Sequence, residues 1–511
     1  MMLGSHPILS CDDARALESR LFGGDEAKEW PAMQRAGWAI AMATLRDCEE
    51  IDGFPANGRL LVLVGKGHNG GDALIAAQAV LQKFPAASAE VIFVLGERGL
   101  RPLAARAWRE FVHAGGARVG RADEPSGAYT VCFDGVFGFQ FRAPAEARVR
   151  ALLEQVNALP IRLRAAVDLP SAGLFRADFT YATGIVKTPL VNEYGAVAGR
   201  VRYLDLGFFK VGGQVPAPAT EDRVLTPAVL APLAALRDTR SDKRTYGHVF
   251  VVGGSRSYPG AVLMSVLAAL RSGAGLVTAF VPESLVAAFA ARAPEAMWVG
   301  WPETPEGGLA LEGQHLLAAR IARASALVIG PGLGREKETL ALVRDIVAKA
   351  TVPLVIDADA LQVEIVQAGS APRVLTPHAG EYARIAEAVG ENTVVVRKGP
   401  VTRIESSAVL QPALARAKRG LKHRATSEIV YHSFFGGPVL ARGGSGDLLA
   451  GLIGGLLAQT PGDPRLAAAR GVVWHGTAAD ALARAHGQTS VVTTQVLDFL
   501  GVALRESAHE Q

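Results

Sequence analysis

With 511 residues the chain is too long for one ordinary core, since single domains run to about 100 to 250 residues, and two domains are the simplest division. A composition of 49% hydrophobic and 20% charged residues excludes a disordered or fibrous protein, and a formal net charge of +4 gives no support to nucleic-acid binding. The longest uninterrupted apolar stretch, LLAGLIGGLLA at 448–458, falls short of the roughly 18 residues that cross a bilayer, so no membrane association is expected.

The opening MMLGSHPILSCDDARALE has no basic region followed by an apolar one, so nothing in it directs export. Cys11, Cys48 and Cys132 are few and widely spaced, which supports neither a disulfide framework nor a zinc site. A reducing, cytoplasmic location is the expectation. DDARALESRL and AMQRAGWAIAMATLRD carry apolar residues at helical spacing. The period then changes. RLLVLVGKGHNGGDALIAAQAV reads as strand, Gly-rich turn and helix, and VIFVLGE, YTVCFDGVF and RAAVDLPSAG supply further buried strands between helical stretches. This predicts a Rossmann-like parallel sheet with helices on both faces. From 211 the Pro- and Gly-rich VGGQVPAPATEDRVLTPAVLAP interrupts the pattern and places a boundary near 222, giving domains 1–222 and 223–511.

The alternation restarts with HVFVVGGSR, GLVTAFVP, ALVIGPGLG, PLVIDADAL, RVLTPHAGEYARIAEA and TVVVRKGP, and ends in a helix opened by GGSGD. A second, larger α/β domain is predicted, with no repeated motif to suggest an internal duplication. The basic run KRGLKHR at 418–424 fits a solvated loop or a rim that attracts a phosphorylated ligand.

In open parallel sheets ligands bind beyond the carboxyl ends of the strands, and the polar motifs fall there. The glycines of GKGHNGGDAL at 65–74 let backbone N–H groups approach an anion at a helix N-terminus, although the spacing is neither a dinucleotide fingerprint nor a P-loop. Asp134 in CFDGVFGF and Asp168 with Ser171 in VDLPSAG bring carboxylates and a hydroxyl to neighbouring strand ends, able to hold a cation, move a proton or cap a helix. GGSGD combines both needs of phosphoryl transfer. If a helix begins at or near Asp447, the N–H groups of Gly444 to Asp447 form an anion hole beside a carboxylate base. His378 in LTPHAGE is read either as a ligand contact or as a cap, His475 in VVWHGTAAD as a satisfied core histidine, and KGPVT at 398–402 as a strand end suited to nucleotide phosphates.

YPGAVLMSVLAALRSGAGLVT, IGPGLG, DADAL, LTPHAGE, KGPVT and GGSGD, following HNGGD, CFDG and VDLPSAG, occur in the order seen in one family. The chain resembles the bifunctional NAD(P)H-hydrate repair enzymes, in which an epimerase domain is fused to a ribokinase-like, ADP- or ATP-dependent dehydratase. The resemblance implies that the first domain interconverts the R and S hydrates of NADH or NADPH. The second would dehydrate the S form through phosphorylation and phosphate elimination. By motif, Asn69, Asp134 and Ser171 would surround a potassium ion, with Asp134 and Asp168 catalytic. His68, Asn69, Gly70, Gly71, Asp72, the loop from Gly138 to Pro144, and Asp168 would contact the hydrate. In the second domain Ala261, Gly332, Gly334, His378 and the base Asp447 would do so. Lys398, Gly399, Pro400, Val401, Thr402, Gly444, Ser445 and Gly446 would hold the adenine nucleotide, with Mg²⁺ on its phosphates. The expected partners are these small molecules alone, with no nucleic acid, and a homo-oligomer is expected.

The chain departs from the family pattern at several positions. GHNGGDA stands where GNNGGDG is usual, DGVFGFQ for DALFGTG, and DLPSAGL for DIPSGL, which brings in His68, Ala73, Phe139 and Ala172. FRADFTYATGIVKTPLVNEYGA lacks an Asp-Thr-Gly stretch, FFGGPVLARGGSGD lacks the Asn-Pro-Gly-Met-Ala-Thr turn, and 405–433 is an insert. A ribokinase-like kinase or dehydratase carrying a non-catalytic N-terminal binding module is the alternative reading.

Overall fold

A computed structural model describes residues 3–209, 218, 220–407 and 429–509. The basic run 418–424 lies outside the described residues, as do most of the insert and most of the stretch before 222. The described residues divide into two compact units. One is drawn from His6–Thr220 with Ala483–Gln488, the other from Met1–Ser5, Glu221–Leu482 and Thr489–Gln511. Two short segments therefore belong to a different unit from their neighbours in sequence.

The first unit holds a seven-stranded sheet. Its spatial order is Val119–Arg121, Ser88–Phe93, Arg59–Val64, Tyr129–Gly135, Ile161–Val167, Phe179–Thr183 and Arg200–Leu204, with every neighbouring pair parallel. The run LLVLV shows why. Leu60, Val62 and Val64 join one core with the helices Glu26–Cys48, His68–Lys83 and Pro102–Gly115. Leu61 and Leu63 point the other way, into a core shared with the helix Ala147–Ala158. Side chains alternate across a strand, so a continuously apolar strand must be covered on both faces. A short parallel pairing sets Ile8 against Val186 and Leu9 against Lys187.

In the second unit the strand order is Met297–Trp301, Leu276–Pro282, His248–Val252, Ala326–Ile329, Leu354–Ile356, Arg373–Leu375, Thr393–Arg397, Thr402–Ser406, Val430–Ser433 and Asp222–Leu225. The first seven run parallel. Thr402–Ser406 is antiparallel to both its neighbours, so KGPVT is the turn of a hairpin, a reversal the sequence pattern did not predict. The two-domain α/β architecture is the one expected. Helix Ser445–Gln459 contains glycines that cost about 1 kcal/mol each relative to alanine in a helix interior. Packing accounts for them: a Cβ at Gly451 would collide with the Ser265 carbonyl and one at Gly455 with the Ser272 hydroxyl, at the crossing with helix Pro259–Arg271. Among the described residues no helix is long and apolar enough to cross a membrane.

A buried charge network braces the first unit. Arg200 Nη1 donates to both Glu50 carboxylate oxygens at 2.8 and 2.6 Å, and Arg202 Nη2 donates to Asp47 Oδ1 at 2.8 Å. Removing one partner of a buried pair strands the other charge. Arg202→Met is therefore expected to lower unfolding free energy by about 3 kcal/mol in guanidinium titration, whereas an exposed pair such as Arg240 with Asp238 should be silent.

Candidate active site

In the first unit the strand Arg59–Val64 turns at Gly65–Gly67 into helix His68–Lys83, as the sequence predicted. Only glycine fits the turn: a Cβ at Gly65 would collide with the Val136 carbonyl, and one at Gly70 with the Gly65 carbonyl. This close approach brings Asn69 across the sheet edge. Its Nδ2 donates to the carbonyls of Val167 at 2.8 Å and Phe137 at 3.3 Å, and its Oδ1 lies against Gly138. Asp134, fully buried, accepts from the Ser171 hydroxyl at 2.6 Å and the Ser171 N–H at 2.8 Å. The Ser171 oxygen in turn accepts from Phe137 N–H at 2.9 Å. Burial pushes Asp134 up to about 6, against the pull of those hydrogen bonds. Asn69, Asp134 and Ser171 are thus brought together, and their oxygens, with those of Phe137 and Val167, form a donor set of the kind that suits a hard cation.

Asp168 sits at the next strand end with φ 67°, a left-handed conformation that a non-glycine residue adopts at a cost of about 1 kcal/mol or more. Its Oδ1 receives Lys187 Nζ at 2.5 Å, and both side chains are almost wholly buried. Burial raises the Asp168 carboxyl, and the Lys187 ammonium holds it down. Three further groups crowd this pair. Asp72, in the first turns of the glycine-initiated helix, is buried with Oδ1 lacking any hydrogen-bond partner, and burial and then the Asp168 charge push it well above the carboxylate range. Glu18 is pushed up to about 7, chiefly by burial. The Phe139 ring lies 5.2 Å from Lys187 Nζ. His68 points elsewhere, pairing with Glu29 at 3.3 Å, half exposed. Gly70 and Gly71 are buried in the helix start, Gly71 against Met33.

In the second unit the helix begins at Ser445, earlier than the expected start at or near Asp447, after Gly444 takes φ 87°. Asp447 is therefore inside the first turn and makes no cap, and the cap at Gly444 has no side-chain hydrogen bond. The Ser445 N–H donates to the Arg442 carbonyl at 3.3 Å, which leaves Gly446 and Asp447 to present first-turn N–H groups. Ser265 Oγ donates to the Asp447 carbonyl at 2.8 Å, fixing the turn against helix Pro259–Arg271. Burial raises Asp447 to about 6, the Asp357 charge pushes in the same direction, and Lys398 opposes both.

Around this turn lie the other expected residues. Ala261 and Gly332 adjoin, since a Cβ at Gly332 would stand 3.1 Å from that of Ala261. Gly334 N–H donates to Asp359 Oδ2 at 3.0 Å. A Cβ at Gly446 would lie 2.9 Å from Lys398 Nζ. Gly399, Pro400 and Val401 form the hairpin turn, and Thr402 starts the returning strand opposite Ser433. His378 caps helix Ala379–Ile385, its Nδ1 accepting from Gly380 N–H at 3.0 Å and Glu381 N–H at 3.4 Å, while Nε2 of the exposed ring lies 3.4 Å from Glu381 Oε1. His475 is a correction. It is buried, as expected, but its Nε2 has no partner, and burial lowers it to about 4.

Lys187, Asp357 and Thr376 were not singled out from the sequence. Lys187 stands in GIVKTP as a lone cation in an apolar stretch, which is a weak signal. Asp357 is the first aspartate of DADAL, and its strand-end position is the clue that could have found it.

Residues 249–500 match the family model described as NAD(P)H-hydrate dehydratase, and residues 31–188 match that of the YjeF-related protein N-terminus. The bifunctional NAD(P)H-hydrate repair enzyme Nnr of Moorella thermoacetica is 33% identical over 504 residues, covering 94% of this chain and 93% of that one. The protein of the same name from Gloeobacter violaceus is 34% identical over 508 residues, with 94% of each covered. The ADP-dependent (S)-NAD(P)H-hydrate dehydratase of Xanthomonas campestris is 35% identical over 256 residues, 50% of this chain and 87% of that protein. With both units matched and relatives aligned over more than nine-tenths of each chain, the chain belongs to the family of bifunctional NAD(P)H-hydrate repair enzymes.

Proposed function

We propose that this protein repairs hydrated NADH and NADPH, the first unit interconverting the R and S hydrates and the second returning the S hydrate to the reduced cofactor with ADP or ATP. The observation that carries it is Asp447, a half-buried carboxylate in the first turn of a glycine-initiated helix with Lys398 against the same turn. Water adds to an enamine ring at the carbon bonded to nitrogen, so the hydrate carries its hydroxyl there. Hydroxide is a poor leaving group. Asp447 takes the hydroxyl proton, the oxygen bonds to the terminal phosphorus, and the phosphorus–oxygen bond to the nucleotide breaks. Gly446 and Asp447 N–H groups, with Lys398, receive the charge on the transferring group. Phosphate then leaves with the C–O electrons while the ring nitrogen lone pair supports the carbon, and loss of the neighbouring ring proton restores the double bond. KGPVT and Gly444 to Gly446 hold the nucleotide, while Ala261, Gly332, Gly334 and His378 Nε2 line the hydrate. Mg²⁺, bound with the nucleotide phosphates, would neutralise their charge.

In the first unit Asn69, Asp134 and Ser171 would hold potassium, which when bound supplies fixed positive charge beside the hydrate. Asp168, held by Lys187, takes the hydroxyl proton. The carbon–nitrogen bond then opens with its electrons on nitrogen, and reclosure on the other face gives the epimer. Gly70, Gly71, Asp72 and the loop from Gly138 enclose the ring, with His68 at the rim. The division between the two domains is proposed near residue 222. The reading carries with it a cytoplasmic homo-oligomer acting on small molecules alone; three free cysteines, two of them buried, support a reducing compartment.

Recovery of reduced-nicotinamide absorbance from mixed hydrates tests this. Asp447→Asn should slow dehydration at least about 10²-fold with nucleotide binding retained. Asp447 works ionised, so wild-type kcat/KM should fall as pH drops, to half near pH 6. Asp168→Asn should give biphasic recovery, a fast phase for the S hydrate and a slow, enzyme-independent phase for the R form. Wild type should be monophasic and faster in potassium than in sodium. No nucleotide-dependent recovery at all would sink the assignment.

A further inference from the structure

Three adjacent strands of the second unit deliver one polar group each to a single point. Asp357 follows Leu354–Ile356, Thr376 follows Arg373–Leu375, and Lys398 follows Thr393–Arg397. Asp357 is 1% exposed, and its Oδ1 accepts both the Thr376 hydroxyl at 2.6 Å and Lys398 Nζ at 3.1 Å. From Gly446 the same two groups are within reach, a Cβ there standing 2.9 Å from Lys398 Nζ and 3.8 Å from Asp357 Oδ2. The ammonium therefore rests on the N-terminal turn of helix Ser445–Gln459, where the helix dipole is also positive. Two positive charges side by side repel, and only a nearby anion keeps the lysine there. Without nucleotide the carboxylate in direct contact with it is Asp357, with Glu381 and Asp447 nearby.

Resting on the dehydratase reading above, we propose that Asp357 is a positioning residue of the phosphoryl transfer. It holds the Lys398 ammonium where the transferring phosphoryl group of the nucleotide arrives, and Thr376 fixes the carboxylate that does so. Lysine is a point charge on a flexible stem, with no planar fork to orient it, so its placement has to come from a partner. Asp357 touches neither the hydrate nor the nucleotide in this role and acts through Lys398.

A mutant cycle on the full chain tests the idea, with kcat and the nucleotide and hydrate KM read for each variant, and nucleotide affinity by calorimetry. Asp357→Asn and Lys398→Met should each lower kcat/KM for nucleotide by about 30-fold or more, with the hydrate KM within about threefold. The double variant should be no worse than Lys398→Met alone within about threefold, because both changes remove one function. Thr376→Val should lose about three- to tenfold in the same direction. Multiplying losses in the double variant would make Asp357 an independent, merely structural group and overturn the proposal. Should Asp357→Asn fail to fold, Thr376→Val decides, and wild-type nucleotide parameters in that variant overturn it. Absent turnover in the wild type counts against the dehydratase reading instead, and the calorimetric cycle still reports on Asp357.

Discussion

Burial of the parallel strands on both faces is the constraint on which everything else depends. A strand such as LLVLV has no solvent face on which to carry a functional side chain, so polar groups can appear only where strands end. In both units they do. Asp134 and Asp168 close two neighbouring strands of the first sheet, and Asp357, Thr376 and Lys398 close three of the second. Each unit also opens a helix at this edge with glycines, at 65–67 and at 443–444, so that backbone N–H groups and carboxylates share a few ångströms.

The alternation of strand and helix, the turns at GKGHNGGD and GGSGD, and the residues at their tips were legible because each is a local pattern: a period, a glycine spacing, a charge after an apolar run. Partners were not. Lys187 reaches Asp168 from a different strand, and nothing in GIVKTP announces a salt bridge. Asp357 lies 41 residues before the lysine it holds. The hairpin at KGPVT was missed because the strand Val430–Ser433 that pairs with its second arm lies at the far end of the 405–433 insert. His475 was expected to be satisfied, as buried polar groups usually are, and only the packed neighbourhood reveals the missing partner of Nε2.

The departures from the family pattern acquire physical meanings that differ from one another. Ala73 is fully buried, and a Cβ at Gly135 would stand 2.7 Å from its own, so the change bears on helix-to-strand packing. Ala172 takes φ 58° where the family pattern has glycine, so it carries backbone strain beside Ser171. His68 faces Glu29 at a half-exposed rim. Phe139 alone reaches the acidic pocket, laying its ring near Lys187. Asn69, Asp134, Asp168 and Ser171 still meet at one sheet edge beside all four.

Helix Ser445–Gln459 meets helix Pro259–Arg271 and the Ser272 that follows it through glycines at 451 and 455, close against the Ser265 carbonyl and the Ser272 hydroxyl. So close a joint resists sliding to suit a ligand, because its contacts leave little free space. The first helix carries Asp447 and the first-turn N–H groups, and the second carries Ala261 and Ser265, which grips the Asp447 carbonyl. On the roles proposed above, base, anion donors and one wall of the hydrate pocket would form a single rigid casting, shaped during folding. Binding energy is then not spent on assembling them, and the solvent reorganisation that a flexible site would undergo at each turnover is avoided.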